Sequence, residues 1–314
     1  MKGRILVLGA AGRFGYAAAA AFRAAEWEVT SLVRPGARHR APPATKVIET
    51  TERPVAVEAA RGMDIVLHAL NPRYTDWQRF ALPHAYAAIE AAEHAGATLM
   101  FPGNLYNYGA GMPQVLDETT PMRPTSRKGR LRVEIEDRMR EASERGMRTI
   151  ILRAGDFFGG GRGAWLDLVI VKDIGRGVVT YPGSLDVVHE WAYLPDLVAA
   201  AVRLAAVRDR LGAFETFGFP GHAVTGRQFV GAIAKALGRG VRVKPMSWWL
   251  IHALSRIVPL PRELSEIAYL WNVPHRIAGE KLNSAIGEVP HTPLNVAAAR
   301  ALQGLGLIAS AGNS

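Results

Sequence analysis

Three glycines at a spacing of three, Gly9-Ala-Ala-Gly12-Arg-Phe-Gly15, are the residues here best suited to holding a ligand. They stand between an apolar run of β type at 4–8 and an alanine-rich stretch at 16–25 that reads as helix. Each glycine then has its own task. Gly9 permits a tight turn, Gly12 lets the backbone come close to a diphosphate, and Gly15 allows close packing of helix on strand. The helix start offers unpaired N–H groups and a positive dipole end to phosphate oxygens, with Arg13 and Phe14 on the same turn. The pattern predicts a dinucleotide site of the strand–turn–helix kind.

The second strand, 28–33, decides which dinucleotide. Sites for NAD(H) usually end this strand with Asp or Glu on the ribose 2′-hydroxyl. Here it ends Leu32-Val33-Arg34, with no carboxylate beside it. Arg34, helped by Arg13, is expected to grip a 2′-phosphate through a forked, charge-assisted contact. The expected cofactor is therefore NADP(H).

The elements that must position these residues alternate, apart from a Pro-containing loop between the second and third strands. Strands read at 46–48, 64–69, 98–101 and 149–152; helices at 55–61, 77–95 and 126–145. That cadence predicts a Rossmann-type α/β fold, a doubly wound parallel sheet with helices on both faces. After Gly155 glycine and proline become dense, and 226–237 and 247–257 read as helices. We therefore expect a cofactor-binding domain over 1–155 and a smaller C-terminal substrate lobe over 156–314, with some later segments returning to the sheet.

In family order, Gly9–Gly15, Asp64-Ile-Val-Leu-His-Ala69, 105–109, 118–124, Leu152-Arg-Ala-Gly-Asp-Phe-Phe-Gly159 and 189–196 resemble the extended short-chain dehydrogenase/reductases, which include sugar-nucleotide epimerases and dehydratases. The stretches 221–237 and Tyr269-Leu-Trp271 are similar to that family's substrate lobe. The resemblance implies that Glu49 and Thr50 contact adenine, that Ala69 and Leu70 flank the ribose and diphosphate, and that Ala154 and Phe157 lie over the nicotinamide. His68 is expected to pack behind the loop.

The resemblance breaks at the catalytic core. The family usually carries Ser or Thr on the preceding strand, then Tyr-x-x-x-Lys at the start of a long helix. Here the matching positions hold Asn104, Lys128 and Arg132, and Glu136 matches a following acidic residue. Lys128 and Arg132 are four apart and so share one helix face. On this reading Lys128 is the general acid, Arg132 holds the ribose, and Asn104 donates to the substrate oxygen. Tyr106 and Tyr108 are alternative proton donors, while a solvated helix face remains the plain reading of Lys128. Asp156 and His189 stand near substrate by position, and Asp196 is expected to cap a helix at 197–206.

Composition narrows the remainder. Cysteine is absent, which excludes disulfides, thiolate metal sites and cysteine nucleophiles. Nine histidines show no metal-ligand spacing, so no metal is expected. The net charge of +10 is scattered apart from clusters at 34–40 and 123–132, without a nucleic-acid module. The start resembles a secretory signal only superficially, since glycines interrupt its apolar run. We expect a cytoplasmic oxidoreductase moving hydride between NADP(H) and a carbonyl or alcohol carbon of a small molecule. Neither nucleic acid nor membrane is an expected partner; a homodimer through 77–95 and 126–145 is. The alternatives are a catalytically decayed dinucleotide sensor, or an epimerase or dehydratase that retains its cofactor.

Overall fold

The computed structural model describes residues 2–309. The first five strands are β1 (Arg4–Leu8), β2 (Glu28–Val33), β3 (Lys46–Glu49), β4 (Ile65–His68) and β5 (Thr98–Gly103). They alternate with helices α1 (Arg13–Ala24), α2 (Arg53–Ala59) and α3 (Trp77–Ala95). A two-residue strand, β6 (Val115–Leu116), precedes the long helix α4 (Arg127–Glu144) and strand β7 (Arg148–Arg153). The later chain adds β8 (Asp156–Phe158), β9 (Val178–Tyr181), β10 (Val188–Tyr193), α5 (Leu194–Val207), β11 (Phe214–Gly218), β12 (His222–Thr225), α6 (Gly226–Leu237) and β13 (Arg242–Pro245). It ends with α7 (Trp248–Leu254), α8 (Pro259–Ser265), β14 (Arg276–Ile277), α9 (Glu280–Ile286) and α10 (Leu294–Gly304).

Seven strands form one parallel sheet in the order β11-β7-β5-β4-β1-β2-β3. Ile5 to Leu8 and Ile65 to Leu67 are almost wholly buried, as a sheet covered on both faces requires. From β1 the chain builds outward to β2 and β3, then returns to build the other half from β4. The strand order reverses between β1 and β4, where doubly wound sheets open a crevice at their carboxyl ends. A three-stranded sheet, β12-β10-β8, carries the lobe. Its core stacks Trp191 on Phe229, with ring centroids 4.3 Å apart, against Phe158, Tyr181 and Trp271.

Two elements depart from expectation. The helix anticipated at 247–257 is α7, which already stops at Leu254, and a second short helix, α8, opens beyond it at Pro259, where the old helix could not continue. Helix α5 starts at Leu194 with Pro195 in its first turn, so Asp196 is not its cap. The Asp196 carboxylate instead accepts from the Thr292 N–H (2.6 Å) and hydroxyl (2.8 Å), tying down the segment before α10.

Buried titratable groups make stability pH-dependent. Burial pushes His68 down to about 3 and both His222 and His275 down to about 4. Each depressed base contributes stability that is complete above its unfolded value of 6.5 and lost as the pH falls. Glu190 runs the other way: burial raises it to about 7, so the folded chain keeps that proton where the unfolded chain has released it. These histidines, with His84 lowered in the same direction, outweigh the one carboxyl, so the unfolded chain binds more protons near pH 5 and stability falls between pH 6.5 and 5, by on the order of 2–3 kcal/mol once solvent screening of His222 is discounted. Urea unfolding at the two pH values measures it, and His68→Phe should remove about one third of the histidine share.

Candidate active site

The glycine turn has the geometry of a phosphate cradle. Gly9 has φ +90°, a conformation that favours glycine, and an added Cβ would lie 3.0 Å from the Ala69 carbonyl carbon. The turn closes through Gly12 N–H on Gly9 O (2.9 Å). Gly12 caps α1 without a side-chain hydrogen bond, and no acidic residue stands in the first turn. The N–H groups of Arg13, Phe14 and Gly15 have no acceptor among the described residues. Three aligned donors at a helix start, beside a turn that admits no side chain, fit a diphosphate. Half-buried Ala69 and Leu70 form the opposite wall.

At the end of β2, Arg34 is exposed and makes no side-chain bond among the described residues. Its loop is shaped by Glu49, whose carboxylate accepts from the Gly36 N–H (3.0 Å), the Arg38 N–H (3.3 Å) and Arg38 Nε (3.4 Å). Arg40 donates to Ala11 O (3.2 Å), fastening the same loop to the glycine turn. Thr50 is buried; its hydroxyl accepts from the Glu52 N–H. Arg13 faces the lobe, not Arg34. Its Nη1 donates to Phe157 O (3.3 Å), its charge sits 5.8 Å from the Phe157 ring centre, and Phe14 stacks on that ring at 5.9 Å. Arg38 and Arg40 were visible in sequence as a basic cluster, but nothing local revealed which of them the fold would commit.

Lys128 and Arg132 do share one face of α4, with different fates. Lys128 is 1% exposed and its Nζ is ion-paired with Glu263, with Glu266 Oε2 at 3.4 Å. Neighbouring Arg127 binds the same two carboxylates. Arg132 lies 5.0 Å from the Trp77 ring centre and 4.9 Å from that of Phe101, and donates to Pro102 O. Burial lowers its guanidinium to about 10, still charged at neutral pH. His68 packs behind, stacked on Phe101 at 5.2 Å.

Asn104 is half-buried; its Oδ1 accepts from the Tyr106 N–H (3.1 Å), which leaves the Nδ2 donor uncommitted among side-chain bonds. The loop bearing it is pinned by a buried ion pair. Arg153 Nη2 meets Glu136 Oε2 at 2.7 Å and Arg153 Nη1 donates to Asn104 O at 2.8 Å, while Asn107 Nδ2 donates to Glu136 Oε1 at 3.0 Å. Burial opposes the Arg153 charge, yet Glu136 raises its pKa on balance. The Tyr106 hydroxyl contacts that of Tyr74 at 3.0 Å, and Lys128 Nζ is 5.5 Å from the Tyr74 ring centre. Burial first, then Tyr74 and Asp156, holds Tyr106 well above its usual pKa, so at neutral pH the resting side chain is the protonated phenol. Tyr108 is buried elsewhere, its hydroxyl on Asp117 O (3.4 Å). Tyr74, in a loop with no periodic signal, escaped sequence reading.

Strand pairing brings Asp156 and His189 together. β8 runs parallel to β10 with Asp156 opposite Trp191, and Asp156 Oδ2 lies 3.0 Å from His189 Nε2. His189 Nδ1 is 3.3 Å from Leu270 O, which can only accept, so Nδ1 carries a hydrogen. The imidazole stacks on Trp271 at 4.4 Å and 3°. Ala154 is buried at the end of β7, its N–H on Gly103 O.

The seven-stranded parallel sheet with its reversal between β1 and β4, and the glycine turn leading into α1, define a Rossmann fold. The chain belongs to the NAD dependent epimerase/dehydratase family, whose model matches residues 5–217. No curated protein sequence matches it. Among solved structures it is similar to MoeE5 in complex with UDP-glucose and NAD, at 20% identity over 96% of this chain and 98% of that one, TM-score 0.76. It is also similar to the UDP-Glc/GlcNAc 4-epimerase of Campylobacter jejuni (17%, 96% and 98%, TM-score 0.72). A third similar structure is DesIV, the dTDP-glucose 4,6-dehydratase of Streptomyces venezuelae with NAD and TYD bound (17%, 96% and 96%, TM-score 0.74). At these identities the likeness is one of fold.

Proposed function

We propose that this chain is an NADP(H)-dependent oxidoreductase acting on a carbonyl or alcohol carbon of a small molecule. The observation that carries this reading is the loop after β2: an uncommitted Arg34 where an NAD(H) site has a carboxylate, with Glu49 consumed in folding the loop. The amides of Arg13, Phe14 and Gly15 hold the diphosphate, and Arg34 takes the 2′-phosphate. The dinucleotide, when bound, supplies or accepts the hydride. Asn104 Nδ2 orients the substrate oxygen, and Tyr106, relayed by Tyr74, provides the proton. Lys128 is not assigned that role because two carboxylates already neutralise it. Arg13 and Phe157 close the cleft between sheet and lobe.

Calorimetric titration with NADPH and NADH tests the reading. The wild type should prefer NADPH, and Arg34→Ala should weaken NADPH by about 10- to 100-fold, as loss of a charge-assisted pair predicts, while leaving NADH unchanged. Equal affinity for the two dinucleotides in the wild type would overturn it. One observation favours a second reading, a dinucleotide sensor: the neutralised Lys128 leaves the family's acid position without a free proton donor. NADPH bound but never oxidised across a carbonyl panel would establish the sensor, and the family's epimerase and dehydratase chemistry would show instead as cofactor retained through purification.

A further inference from the structure

Thirteen large hydrophobic side chains are exposed among the described residues, and five of them fall within residues 249–260. They are Trp249 (74% exposed), Leu250 (43%), Ile257 (80%), Val258 (40%) and Leu260 (52%), all on the α7–α8 hairpin. Side chains this free stand proud of the surface and do not line a groove. Trp248, by contrast, turns inward, its Nε1 donating to Pro182 O, and so anchors the base of the hairpin.

Along the sequence, the charge on the segment that carries this tip is positive. Residues 216–262 contain neither Asp nor Glu. Arg242 and Arg256 are exposed and pair with no carboxylate, while Lys244 is answered by Asp173. The nearest acids in sequence, Glu263 and Glu266, are buried or half-buried and occupied with Arg127 and Lys128. We propose that the α7–α8 hairpin docks on an anionic lipid bilayer, with its apolar tip in the headgroup boundary and its arginines against lipid phosphates. No described helix is long and apolar enough to cross a membrane, so the contact is peripheral. It departs from the sequence-level expectation of no membrane partner.

Tryptophan and aliphatic side chains flanked by unanswered cations are the composition that interfacial binding selects. A second copy of the chain is the weaker occupant. Twofold pairing sets a patch against itself, and here it would bring the same uncompensated arginines face to face. A bilayer supplies both the apolar volume and the opposite charge.

The test is cosedimentation of the full chain with vesicles of phosphatidylcholine alone and of phosphatidylcholine with phosphatidylglycerol. The wild type should pellet with the anionic vesicles, more weakly in high salt, with a blue shift of tryptophan emission. Trp249→Glu with Ile257→Glu should lower partitioning by on the order of tenfold or more, since both side chains lose their apolar contact. Both residues are exposed, so an unchanged melting temperature checks that the fold is intact. A wild type that stays in the supernatant with anionic vesicles overturns the proposal, as does a doubly substituted protein that binds as well as wild type. A concentration-dependent dimer that the same substitutions abolish, without vesicle binding, reassigns the tip to a second copy.

Discussion

Gly15→Ala is expected to raise the Kd for NADPH by roughly 100-fold or more, the loss of about two charge-assisted bonds to the diphosphate. The added Cβ would lie 2.3 Å from Gly9 O, 2.9 Å from Gly9 C and 3.1 Å from Ala10 Cα, all backbone atoms. No rotamer relieves such a contact, so the turn itself must move. Gly9 O is the acceptor that closes the turn with Gly12, and the same displacement turns the amides of residues 13–15 away from the ligand. Overpacking of this kind costs about 1–3 kcal/mol of stability, which a folded domain can survive. Calorimetry with NADPH and a thermal melt on the same sample separate the two effects. Binding within a few-fold of wild type would mean that the cradle is not where the diphosphate sits.

Glu136→Ala is expected to destabilise the fold by about 3–5 kcal/mol, because it leaves a buried guanidinium without its partner. Arg153 and Glu136 side chains are 3% and 2% exposed, so water cannot replace the lost carboxylate. The same carboxylate receives Asn107, and Arg153 holds the carbonyl of Asn104. Activity should therefore fall along with stability, through misplacement of Asn104 and Tyr106. Urea unfolding of Glu136→Ala beside a double change, Glu136→Leu with Arg153→Met, isolates the cause. The double variant should be the more stable of the two, since removing both charges leaves none stranded. The reverse order would show that packing volume, not charge, governs this position.

What could be read from sequence was local in the chain. Gly9 to Gly15 and Arg34 lie within 26 residues, and their spacing alone predicts a turn, a helix start and a strand end. The strand cadence carried the parallel sheet for the same reason. Contacts made across the fold were not legible. Asp156 meets His189 only through the register of β8 on β10, and Lys128 loses its freedom to Glu263, 135 residues away. Arg13, in the glycine loop, looked like a helper of Arg34 at the end of the next strand, yet its side chain crosses to Phe157 on the lobe. Asp196 shows the converse: its position before a helical stretch suggests a cap, but Pro195 moves the helix start and frees the carboxylate for Thr292. Hydrophobic and glycine periodicities report neighbours a few residues apart; they are silent on which distant charge will answer a cation.

The outermost strand β11 follows its only neighbour in the sheet, β7, after 60 further residues. During synthesis, β7 must leave the ribosome with one row of amides and carbonyls unpaired, and it stays so until the chain past Gly218 has emerged. For several seconds at ordinary elongation rates of about 5–20 residues per second, the nascent protein thus presents an apolar ribbon open to any passing strand. Fragments that stop between residues 154 and 213 keep that ribbon permanently, which makes them natural clients for chaperones and seeds for inclusion bodies.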